Sequence, residues 1–233
     1  MDVEIRHRGT APGTAILYFS GWGAPLSLID RMELPAEWTL VSVSGYGGDT
    51  IQWPDLSHYS RLYLVAWSMG VWASEYYRDC YPTPERAVAV CGTPALISDR
   101  YGIREADYRQ MASSLDEEMY HHFVRQMCLS RKETSDFLAL PGHRGTLAYR
   151  EELRRVEKLG GSITSCRVPW TKALIGEKDL VIPPAGQRLF WAERDVAVTT
   201  LPSASHLVFG NHFMSWRDLL NCCLLYTSDA ADE

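Results

Sequence analysis

The chain reads as an α/β protein with one mostly parallel sheet flanked by helices. Three observations point there. Short apolar runs alternate with helical stretches from end to end, the pattern of a sheet covered on its faces. Five of seven candidate strands are uninterrupted apolar runs, as strands buried on both faces require. The run ending at Trp67 breaks at Ser68, which has Ala66 and Gly70 two residues to either side. That spacing suits a strand turning abruptly into a helix, where small neighbours keep the two elements from colliding.

In chain order, Val3 to His7 alternates charged and apolar residues like an edge strand. Thr14 to Phe19 is an apolar run closed by Ser20-Gly21, and Thr39 to Ser44 and Leu62 to Trp67 follow as further strands. After the Ser68 turn, Val71 to Asp79 carries Trp72, Tyr76 and Tyr77 at roughly helical spacing, predicting a crossover helix. Arg86 to Cys91, Thr171 to Ile175 and Val196 to Leu201 complete the strands. Pro184 to Glu193, opened by Pro183-Pro184, and Asn211 to Cys222 complete the crossover helices.

The interval 92–166 differs, with helical segments at Glu105 to Ser113, Asp116 to Cys128, Lys132 to Ala139 and Leu147 to Leu159 and no convincing strand. It reads as a helical cap inserted between two sheet strands; ordinary amphipathic packing helices are the alternative. With 233 residues, 46% of them hydrophobic, the chain suffices for one sizeable core and is short for two. A single domain over 1–223 is therefore expected. Residues 224–233, LLYTSDAADE, form a small-residue acidic tail without periodicity, expected to be disordered and resembling non-native read-through.

A serine hydroxyl is a weak nucleophile near neutral pH. It needs a histidine to take its proton and a carboxylate to fix the histidine's tautomer and stabilise the imidazolium. On the α/β-hydrolase fold these follow in the order Ser, acid, His. Downstream of Ser68, the strand ending at Ile175 runs into Gly176-Glu177-Lys178-Asp179, presenting Asp179 at the carboxyl edge of the sheet. The last strand ends in Pro202-Ser203-Ala204-Ser205-His206, placing His206 where the base belongs. Glu177 shares the acid's turn and Asp195 precedes a strand, at the wrong edge. His212 falls inside the helical pattern, where packing is the more economical reading.

Charge developing on a substrate carbonyl oxygen is met by preorganised backbone N–H groups. The residue after the nucleophile, Met69, supplies one such donor. Trp22, in the glycine-flanked loop Ser20-Gly21-Trp22-Gly23, is the candidate for the second.

A formal charge of −6 disfavours nucleic acid as a partner. No apolar run reaches membrane-spanning length and no signal segment is recognisable, so a soluble cytoplasmic protein is expected. The six cysteines lack metal-ligand spacing, as do His58, His121, His122 and His143, so neither metal nor cofactor is predicted. The cysteines read as reduced thiols packed as small apolar groups.

Phe19-Ser20-Gly21-Trp22-Gly23, Trp67-Ser68-Met69-Gly70-Val71-Trp72, Gly92-Thr93-Pro94, Phe123-Val124-Arg125-Gln126-Met127-Cys128 and Ser205-His206 occur together in this chain. In that combination the sequence resembles the BioG family of pimeloyl-[acyl-carrier protein] methyl ester esterases over roughly residues 2 to 222. The resemblance implies hydrolysis of the methyl ester of pimeloyl-acyl-carrier protein, releasing methanol in biotin biosynthesis. It implies the same triad, Ser68, Asp179 and His206, with Trp22 and Met69 as oxyanion donors. Its partner would be an acidic carrier protein, which an acidic esterase can meet only through a local basic surface. Arg125, Arg154 and Arg155 of the helical interval are the candidates, although acidic residues are nearly as numerous there and a solvated mixed-charge face is the simpler reading. A general short-acyl esterase or thioesterase, and a catalytically silent binding protein on the same fold, remain open.

Overall fold

The computed structural model describes residues 1–10, 12–48 and 52–222. Seven strands form one sheet: β1 (Asp2–His7), β2 (Thr14–Phe19), β3 (Thr39–Ser44), β4 (Arg61–Trp67), β5 (Arg86–Val90), β6 (Lys172–Gly176) and β7 (Val198–Leu201). Their spatial order is β1-β3-β2-β4-β5-β6-β7, with β1 antiparallel to β3 and every other pair parallel. This is the α/β-hydrolase arrangement anticipated above. The centre, β2 and β4, is buried on both faces, whereas β1 at one edge is mostly exposed. The apolar runs of the middle strands and the alternation of β1 thus reflect their places in the sheet.

Helix α1 (Met69–Tyr76) starts directly after Ser68. Between β5 and β6 lie α2 (Glu105–Ser114), α3 (Glu117–Met127), α4 (Arg131–Leu138) and α5 (Thr146–Lys158). Asp116 and Ser130 cap α3 and α4, their side chains accepting from the Met119 and Glu133 N–H groups. Helix α6 (Pro184–Ala192) opens on a proline, where the missing N–H leaves no intrahelical bond unmade.

The last helix, α7 (Trp216–Asn221), is shorter than its periodicity suggests. Gly210 takes a left-handed φ of 70° and its N–H donates to the Phe213 carbonyl, so the chain turns through 210–213 before Ser215 caps the helix. His212 therefore sits in an exposed turn rather than within a helix. β7 likewise begins two residues later than expected, because Asp195 adopts φ 53° and the Val196 N–H returns to the Trp191 carbonyl. A 3-10 helix at Leu26–Arg31, which carries no strong periodic signal, follows the Ser20-Gly23 loop.

No helix among the described residues is long and apolar enough to cross a membrane. Residues 224–233 lie outside the described part.

Candidate active site

The parallel strands deliver their carboxyl ends to one edge, and three loops there converge. β4 ends at Trp67, and Ser68 takes φ 55° and ψ −122°, outside the ordinary regions for a residue with a side chain. Its N–H is tied to the Val90 carbonyl of β5 at 2.9 Å, which helps hold that conformation. Gly70 shows why the neighbour must be small: a Cβ there would overlap the Phe19 carbonyl oxygen of β2. Ala66 pairs with Phe19 on one side and Ala89 on the other and is fully buried.

Asp179 follows β6 in a turn whose Oδ1 accepts from the Val181 N–H at 2.8 Å and the Ile182 N–H at 2.9 Å. His206 lies in the loop after β7, and its carbonyl accepts from Trp67 Nε1 at 2.9 Å. The three side chains meet. Ser68 Oγ is 2.8 Å from His206 Nε2, and His206 Nδ1 is 2.8 Å from Asp179 Oδ2. A carboxylate can only accept, so Nδ1 carries the proton and Nε2 is left to accept from the serine hydroxyl. All three residues are buried, with Ser68 at 5% exposure the least enclosed. Glu177 instead forms an ion pair with Arg188, and Asp195 stays at the opposite end of its strand.

The Trp22 and Met69 backbone N–H groups donate to no acceptor among the described residues, so both are free for a ligand. Trp22 is anchored from the inter-strand helices: its Nε1 donates to the Tyr149 carbonyl at 3.0 Å, and its ring meets Phe123 edge-on at 4.8 Å. Tyr120 Oη donates to the Gly23 carbonyl at 2.7 Å. Tyr46 Oη reaches the Ser20 carbonyl at 2.6 Å, and its own N–H is held by buried Glu152 of α5, which pairs with Arg144. At the far end, the Met127 carbonyl of α3 accepts from the Leu207 N–H, next to His206, at 3.1 Å. The helical interval is therefore bonded to both the Trp22 loop and the histidine loop.

Two side chains beside these three residues carry no sequence motif. Gln187 of α6 donates from Nε2 to Asp179 Oδ2 at 3.0 Å and to the Ile182 carbonyl at 2.7 Å. Its signal was a polar residue on the same helical face as Phe190 and Trp191, which a core position does not call for. Cys91, just past β5 with φ 45°, lies with Asp179 and His206 in a cluster whose ligand-type atoms are within 4.8 Å of one another. Burial, and then the Asp179 charge, pushes its thiol well above the usual range, so it is neutral. The histidine and carboxylate atoms of that cluster are hydrogen-bonded to each other.

A cavity of about 680 Å³ lies between α2, α3 and the segment after Asp179, lined by Met119, Phe123, Leu180, Val181, Arg104 and Arg125 among others. Its size suits a small-molecule chain. Of the three arginines singled out above, Arg125 lines this cavity. Arg154 is tied to Glu151 and to the Ala112 and Ser113 carbonyls, and the stem of Arg155 packs over Gly47. Arg154 and Arg155 lie on α5 and Arg125 on α3.

Comparison with known proteins adds a family. Residues 3–219 match the model for pimeloyl-ACP methyl esterase BioG. A malonyl-[acyl-carrier protein] O-methyltransferase from Bacteroides fragilis is 33% identical over 178 residues, covering 76% of this chain; the match spans only 36% of that longer protein. The crystal structure of BioG from Haemophilus influenzae superposes with a TM-score of 0.82 at 28% identity, covering 94% of this chain and 99% of the other. An esterase from Exiguobacterium antarcticum, with a TM-score of 0.66 at 14% identity over 96% of this chain and 93% of its own, shares the fold.

Proposed function

The chain belongs to the BioG family of pimeloyl-ACP methyl esterases, and from that premise we propose that it is a serine carboxylesterase hydrolysing the methyl ester of pimeloyl-acyl-carrier protein. The observation that carries the chemistry is the unbroken chain of hydrogen bonds from Ser68 through His206 to Asp179, each 2.8 Å long. His206 Nε2 takes the hydroxyl proton as Ser68 Oγ attacks the ester carbonyl, and Asp179 stabilises the imidazolium so formed. The tetrahedral oxyanion is met by the Met69 and Trp22 N–H groups, each worth roughly 3 kcal/mol to such an intermediate. Collapse breaks the bond to the methoxy oxygen, which leaves as methanol with the proton from His206. Water then repeats the sequence on the acyl-enzyme and frees the carboxylate.

The partner would be an acidic carrier protein, with Arg125, Arg154 and Arg155 as its docking charges. Arg125 and Arg155 are exposed and free of ion pairs among the described residues, whereas Arg154 has only its outer face to offer. The experiment is a comparison of kcat/KM on carrier-linked pimeloyl methyl ester with that on free short esters. We expect the carrier-linked ester to be preferred, with about tenfold higher KM after charge reversal at Arg125 and Arg155. Equal turnover on both substrates would favour a general short-acyl esterase.

A further inference from the structure

The Asp179 carboxylate is held by more than the acid of a minimal triad needs. Oδ1 accepts from two backbone N–H groups, and Oδ2 accepts from both His206 Nδ1 and Gln187 Nε2. Gln187 is fully buried. Its two recorded partners, Asp179 Oδ2 and the Ile182 carbonyl, are both acceptors, so both amide hydrogens are committed and the side chain cannot be turned over without setting oxygen against oxygen. Its own Oε1 has no partner among the described residues. An unpaired buried carbonyl is unfavourable, and here it accompanies a geometry that aims two donors at the acid loop.

We propose that Gln187 is a positioning residue for the reaction: by donating to the same oxygen that His206 uses, it fixes the rotamer of Asp179 and draws negative charge away from Oδ2. The inference rests on reading Ser68, His206 and Asp179 as a catalytic triad. Charge on Oδ2 governs how strongly the imidazolium is favoured. Without the Gln187 donor, Oδ2 holds more charge, the protonated histidine is stabilised, and the neutral form that accepts the Ser68 proton prevails only at higher pH. The other titratable group in this cluster, Cys91, is a neutral thiol in the range of interest and does not supply the effect.

The test uses two variants of the full chain and a free p-nitrophenyl ester, so that it does not depend on the carrier-linked substrate. In Gln187→Met, of similar length but without donors, kcat should fall about tenfold at unchanged KM. The acid limb of the kcat/KM profile should move to higher pH. Gln187→Glu retains a donor when its carboxyl is protonated, so it should restore the acid limb and lose activity as pH rises. The rate at which a fluorophosphonate labels Ser68 should follow the same profiles. A folded Gln187→Met with the wild-type kcat and acid limb overturns the proposal. So does a fall in kcat with no movement of the limb, which would make Gln187 structural only. If wild type hydrolyses no ester at all, the esterase reading fails by itself, and Ser68 labelling still decides the role of Gln187.

Discussion

The sheet edge and the helical interval α2–α5 build the site by different means. Ser68, Asp179 and His206 are set by backbone: strand ladders on both sides of β4, the Ser68 N–H bound to β5, two backbone donors on Asp179, and the Glu177 and Lys178 N–H groups bound to the chain at Leu201 and Ala204. The helices reach the site through a few bonds, chiefly Trp22 Nε1 to the Tyr149 carbonyl, Tyr120 Oη to the Gly23 carbonyl, and the Leu207 N–H to the Met127 carbonyl. The proposed relay thus sits on loops set by the sheet, while the loop bearing Trp22, the proposed oxyanion donor, is shared between the two. Beside these bonds the interval packs into the same core as the sheet through Tyr108, Tyr120, Phe123 and Tyr149, so both halves hold the Trp22 and histidine loops.

The largest test breaks the sheet half. Ser68→Ala removes the proposed nucleophile while leaving a small residue at the elbow, and hydrolysis should fall by at least roughly a thousandfold with the fold retained, as single triad deletions do in serine hydrolases. Steady-state assay beside a circular dichroism melt checks it; substantial remaining turnover would move the chemistry elsewhere. A smaller loss should follow from cutting the tie between the halves. Trp22→Phe keeps most of the ring contact with Phe123 and Tyr149 but deletes the indole donor. We expect roughly tenfold in kcat, well short of the loss of an oxyanion donor itself, with about 1 kcal/mol of stability by urea unfolding. An unchanged kcat would show that the Trp22 loop is set by the sheet alone.

The same contrast explains what the sequence disclosed. Ser68 was visible because the small residues Ala66 and Gly70 around it show in the sequence, although what demands a small residue at Gly70 is the Phe19 carbonyl of β2. Asp179 and His206 were visible because parallel strands put their following loops at one edge, so position after a strand is position in the site. Gln187 was not, because its role arises only when α6 folds back over the acid turn, 8 residues along the chain. The late start of α7 was hidden for a related reason: 211–215 has an acceptable helical pattern, and the turn that overrides it is set by Gly210 and the return of Phe213 and His212 to Val208. In the helical interval the periodicity located all four helices, yet charge content could not tell that Arg154 would be bound to carbonyls of the α2 turn while Arg125 faced a cavity.

The smallest effect sharpens the account of the sheet half. Glu75, near the end of α1, is buried and accepts from the Arg167 and Val168 N–H groups and from Trp170 Nε1, fastening the helix behind the nucleophile to the segment that leads into β6. Burial raises its carboxyl above the ordinary range, against the lowering by those donors. The folded state thus binds a proton at pH values where the unfolded chain has released it. Stability from this group is therefore full below the ordinary carboxyl range and declines as pH rises through the raised value. Glu75→Gln lacks that titration, so the stability of wild type relative to the variant should fall as pH is raised from the ordinary glutamate range upward. Urea unfolding of both proteins across that range reads the difference directly. A gap that widens in favour of wild type with rising pH would mean that the donors outweigh burial, and that α1 is fastened by charge rather than in spite of it.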